Sequence, residues 1–97
     1  MEERPLFIPL KREFFDAFER REKHEEYRRL GPCWNAETCR PGRAVTLSLG
    51  YGRRRRLSGR IASFHVEPRP AETLPGWSKC YGKAAGPAAV IGIELDR

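Results

Sequence analysis

At 97 residues the chain makes one domain with a single modest core, and 39% hydrophobic against 33% charged residues leaves little apolar surface to spare. No apolar run approaches the roughly 20 residues of a membrane span, and the opening MEERPLFIPLKREFF is unlike a secretory leader, so a cytoplasmic protein with no membrane partner is expected. The net charge of +6 comes from one block: residues 1–29 carry eight acids and eight bases, whereas residues 38–66 hold seven arginines and no acid, as expected of a surface that attracts phosphates.

Leu6 to Leu10 (LFIPL) predicts a first strand, and Pro9 places it at an edge or at its own end because proline cannot donate to a ladder. From Lys11 to about Glu22 the pattern turns helical. Leu10, Phe14, Ala17, Phe18 and Arg21 form one stripe, Phe15 widens it, and Arg12, Glu13, Asp16, Glu19 and Arg20 take the other face. The three phenylalanines are read as core. A strand from about His24 to Arg29 follows, with His24, Glu26 and Arg28 on one face and Glu25, Tyr27 and Arg29 on the other.

Gly31-Pro32 ends that strand, and Cys33 to Cys39 predicts a short helical turn anchored by Trp34. Arg43 to Leu49 is the clearest strand, with Val45, Leu47 and Leu49 alternating with Thr46 and Ser48. Gly50-Tyr51-Gly52 makes a turn, and Leu57 to Val66 is its partner, with Ala62, Phe64 and Val66 sharing a face and Gly59 marking a bulge or bend. Residues 67–87, rich in proline and glycine, form an irregular excursion with a turn of helix near Ala71 to Leu74. Ala89 to Leu95 closes the chain as an alternating strand. One helix and about five strands serve a barrel and an open sheet equally well on pattern alone.

Cys33, Cys39 and Cys80 are odd in number and too few for a disulfide framework, and the first two lack the spacing of a structural zinc site. Reduced thiols are expected, with no metal and no other cofactor.

The stretch Arg21 to Arg28, REKHEEYR, sets a lysine, a glutamate and an arginine at the start of the second strand. It resembles the motif near the start of ASCH domains, small barrels related to PUA domains, which runs close to G-x-K-T-x-E-x-R. Lys23, Glu26 and Arg28 agree with it, whereas Arg21 stands for the glycine and His24 for the threonine. The likeness runs more loosely through the Trp34 turn, the Gly42-to-Gly52 segment and the closing strand. It implies an α+β fold: a small PUA-like β-barrel of about five strands with one N-terminal helix and short helical turns, filling residues 1–97 as a single domain. Short stand-alone versions resembling this chain occur among phage, prophage and mobile-element genes.

Two cations and a carboxylate on Lys23, Arg28 and Glu26 would suit a phosphate or a polar base edge, although Glu26 and Arg28 equally make a fold-stabilising pair. Together with Arg53, Arg54, Arg55, Arg56 and the aromatics Tyr51 and Trp77, they predict binding of RNA or single-stranded nucleic acid, or of a nucleotide-like small molecule. Trp77 serves equally as packing over the open end of a barrel. The resemblance also implies an enzyme as an alternative, with Lys23 and Glu26 as catalytic candidates. Some ASCH relatives are amidohydrolases on acetylcytidine, but their working threonine falls here on Glu26, no hydroxyl stands there, and only a distant Glu67 or Glu72 is left to supply the acid. For a ribonuclease, Lys23, Tyr27, Tyr51 and His65 offer acid–base groups without a spacing that singles out a pair. A further alternative is a mobile-element inhibitor whose arginines meet an acidic protein patch. Oligomeric state is left open.

Overall fold

β1 (Leu6–Leu10) matches the predicted strand residue for residue, with Ile8 and Leu10 buried and Phe7 turned outward. The computed structural model describes residues 3–82 and 86–96. After β1 come α1 (Arg12–Glu19), β2 (Glu25–Arg29), β3 (Ala44–Leu49), β4 (Arg56–Glu67), α2 (Pro70–Thr73), α3 (Trp77–Tyr81) and β5 (Ala88–Leu95). The strands form one sheet in the order β1-β3-β4-β5-β2, curled into a half-barrel. β1 runs parallel to β3 and every other pairing is antiparallel.

α1 is a turn shorter than its stripe predicts. Arg21 adopts φ 64°, the left-handed conformation that ends a helix. The Arg21 N–H then donates to Phe18 O at 3.0 Å and the Glu22 N–H to Ala17 O at 2.9 Å, the two reversed bonds of a Schellman closure. Phe15 and Phe18 are buried and join Ile8, Leu10, Cys39, Val45, Leu47, Ile61, Ile91 and Ile93 in the main core, while Phe14 is only partly covered.

β4 holds the sheet together because it serves two partners. Residues 56–60 pair with β3, and residues 59–67 pair with β5. At the overlap a Cβ on Gly59 would lie 2.4 Å from Glu94 O, so the absence of a side chain lets the strands approach. The irregularity lies two residues on, between Ile61 and Ser63. Burial changes across it, so the face expected to carry Ala62, Phe64 and Val66 is not uniformly covered: Gly59 and Ile61 are buried before it, Phe64 turns partly inward after it, and Ala62 and Val66 are exposed. An extra residue in one strand shifts the alternation by one, which no periodic reading registers.

Two further predictions change. Cys33 to Cys39 is a series of bends and turns, pinned by Asn35 Oδ1 accepting from the Glu37 and Thr38 N–H groups at 2.9 and 3.0 Å. The excursion after β4 contains a second helix, α3, beyond the expected turn at α2; residues 83–85 of that stretch lie outside the described residues. In β5 all of residues 88–93 are buried, so the strand is covered on both faces. Among the described residues no helix is long and apolar enough to cross a membrane.

Candidate polar cleft and basic hairpin

The two candidate regions lie in different places on the half-barrel, one at its open seam and one at the β3–β4 turn. β1 and β2 are the two edges of the sheet, and no backbone ladder joins them. Arg28 on β2 bridges them, its Nη2 donating to Pro9 O at 2.6 Å. The same guanidinium donates from Nε and Nη2 to Glu26 Oε2 at 3.1 and 2.9 Å, and it lies over the Trp34 ring at 4.9 Å. Pro9 has no N–H to offer an edge partner, and its carbonyl is taken by this clasp.

Lys23 completes the cluster from the other side. Its Nζ stands 3.7 Å from Glu26 Oε1 and within 4.8 to 5.6 Å of the ring centres of Tyr27, Phe14 and Phe18. Three aromatic faces and a carboxylate thus surround one ammonium. The Glu26 side chain is 9% exposed and that of Lys23 is 19% exposed. Lys23, Glu26 and Arg28 therefore converge, with two cations against one anion. Among the described residues the Lys23 ammonium makes no hydrogen bond, and Lys23 lines a cleft of about 320 Å³ together with Lys11, Phe14, Glu26, Tyr27, Trp77 and Tyr81. A volume of this order suits a nucleotide-sized ligand. A larger depression, about 660 Å³, is also lined by Lys23 and mixes Arg21 and His24 with Glu25 and Glu94, so it favours neither sign of charge.

Trp77 does not fill the role of an exposed stacking platform. It is 2% exposed, its ring 4.2 Å from that of Tyr81 and tilted 30° to it, and it forms part of the cleft wall. Tyr81 Oη donates to Tyr27 O at 3.1 Å and fixes α3 on β2, and burial pushes the Tyr81 phenol above its ordinary pKa.

The hairpin between β3 and β4 is built differently. Gly50 takes φ 63° at the turn, and Tyr51 stands 82% exposed at its tip, 6.1 Å from the ring of Phe7. Arg56 lies over Phe7 at 5.4 Å, and Arg53 and Arg54 are exposed with no side-chain partner among the described residues. Arg55 leaves the group. It pairs with Asp16 and Glu19 on α1 and covers Phe15 at 5.0 Å, which makes it a strut between hairpin and helix. The cleft meets α1 at Phe14 and the hairpin meets it at Phe15, Asp16 and Glu19, so the two regions flank different faces of that helix.

Phe7 escaped the sequence reading although its signal was present: alternation that buries Ile8 and Leu10 turns residue 7 outward. The seven arginines of the central block also separate in space. Arg40, Arg43 and Arg60 gather at the opposite end of the β3–β4 pair from Arg53–Arg56, where Ala44 faces Arg60 across the ladder. Cys33 and Cys80 are exposed, Cys39 is buried and all three are free. Among the described residues no three metal-ligating side chains come together.

These features define a small α+β domain on one curled mixed sheet, with a polar clasp at its seam and a basic aromatic hairpin at one end. No protein-family model matches the chain, and none of the curated proteins compared with it is similar in sequence.

Proposed function

We propose that the protein is a PUA-like module of ASCH type that binds RNA or another single-stranded nucleic acid. The observation that carries this reading is the hairpin tip, where a Tyr51 ring with 82% of its surface in water stands beside Phe7, Arg53, Arg54 and Arg56. Unpaired bases stack on such rings whatever their identity, while arginines contact the phosphates between them. The cleft beside Lys23, Glu26 and Arg28 then takes one base or nucleotide, with the Lys23 ammonium and the Glu26 Oε1 that accepts no hydrogen bond among the described residues meeting a polar base edge. Arg21 supports the ASCH-type reading. It occupies the position of the motif's glycine, and it is the non-glycine residue that adopts positive φ among the described residues.

Fluorescence anisotropy with short single-stranded RNA at two salt concentrations tests the proposal. Binding at low salt that weakens on Arg53→Ala with Arg54→Ala, and again on Tyr51→Ala, is the expected result. Absence of binding at low salt, or binding indifferent to all three substitutions, rejects it.

A further inference from the structure

The arginines at the far end of the β3–β4 pair are arranged around a carboxylate that comes from outside the sheet. Glu3, on the segment that precedes β1, pairs with Arg40 through both of its oxygens, and its Oε1 lies 3.6 Å from Arg43 Nε. Arg60 closes the third side, its Nη1 donating to Gly42 O at 3.0 Å. The space so enclosed measures about 370 Å³, and the charged groups lining it are three guanidiniums and one carboxylate.

We propose that Arg40, Arg43 and Arg60 form an anion pocket for a phosphate group, and that the Glu3 carboxylate is a resident mimic which the phosphate displaces. Arg43 is the fixed part of the cradle. Its Nη1 donates to Thr38 O at 2.7 Å and its Nη2 to Arg4 O at 3.0 Å, and its side chain is 14% exposed. These bonds leave Nε buried and, among the described residues, without a hydrogen-bond partner, with the nearest Glu3 oxygen too far away to accept from it. A buried donor in that position is costly until an acceptor reaches it. Phosphate offers more acceptor oxygens and more charge than a carboxylate, so it can satisfy Arg43 Nε while still meeting the fork of Arg40.

Glu3 is suited to leave. Its side chain is 42% exposed and that of Arg40 is 53% exposed, and ion pairs in such settings hold weakly. The Arg40 hydrogen bond keeps the Glu3 carboxyl below its ordinary pKa, so the mimic carries its charge at neutral pH and competes as an anion. The site is separate from the hairpin tip and the Lys23 cleft, and it binds phosphate whether or not those regions bind RNA.

NMR detection of the arginine Nε–H groups in the full chain, titrated with inorganic phosphate at constant ionic strength, tests the proposal. Saturable shifts of Arg40 and Arg43 are expected. Glu3→Gln tightens the response about two- to fivefold, the range of an exposed ion pair removed from competition. Arg40→Gln with Arg60→Gln abolishes the saturable shift of Arg43. The chain carrying Arg53→Ala and Arg54→Ala keeps that shift, which separates this pocket from the hairpin. Short oligonucleotides with and without a 5′-phosphate, titrated in parallel, identify the source: a response to inorganic phosphate or to the 5′-phosphate alone marks a terminal or free group, and a response to both oligonucleotides marks the phosphodiester backbone. No saturable shift with any of these probes, or a Glu3→Gln chain that binds no tighter than the parent, overturns the proposal.

Discussion

Two arginine-bearing regions of this molecule differ in what their charges are already engaged with. At the seam, Arg28 spends two nitrogens on Glu26 and Pro9 and its face on Trp34, while Glu26 is shared with Lys23. At the hairpin tip, Arg53 and Arg54 have no such partner among the described residues, and their aromatic neighbour Tyr51 stands in water. The difference teaches that charge density along a chain says little until the partners are counted. A saturated cation holds a fold together, and an unsaturated one is available to a ligand.

The largest effect expected from breaking this contrast is on stability at the seam. Glu26→Gln leaves two part-buried cations without their anion and should cost about 3 kcal/mol in urea unfolding. A loss below about 1 kcal/mol would mean that the three side chains do not depend on one another. Tyr51→Ala should weaken RNA binding by about 1–3 kcal/mol in anisotropy titrations while the melting curve stays in place. Arg53→Ala with Arg54→Ala should leave folding within about 0.5 kcal/mol and should flatten the dependence of log K on log salt by about 1.4, or about 0.7 for each single-strand phosphate contact. An unchanged slope would remove those arginines from the interface. The smallest effect is at the helix end. Arg21→Gly relieves a left-handed side chain and should raise stability by about 0.5–1 kcal/mol; a destabilised variant would show that the contact from Arg21 Nη2 to Asp96 O, 3.3 Å long, outweighs the strain.

Legibility in the sequence followed the range of the interactions. β1, β3 and the Gly50 turn were readable because alternation and positive φ are properties of a few adjacent residues. The convergence of Lys23, Glu26 and Arg28 was readable because they lie within six residues on and beside one strand. The irregularity after Ile61 was not, since an inserted residue leaves composition untouched while reversing the faces beyond it. Nor was α3, whose five residues WSKCY are too few to show a period. The division of the arginines into two groups depended on which end of the β3–β4 ladder each residue meets, and adjacency in the chain conceals that.

The twelve residues of β4 have a consequence for the order of assembly. Its first half meets β3 across the short connection from Leu49 to Arg56, a loop closure of small entropy, whereas its second half waits for β5 to return over about twenty residues, and β1 must find β3 over a longer span still. The β3–β4 amides should therefore gain protection first in pulsed hydrogen-exchange refolding, ahead of β1 and of β2, whose pairing with β5 spans more of the chain than any other. Early protection of β1 would reverse that sequence of events.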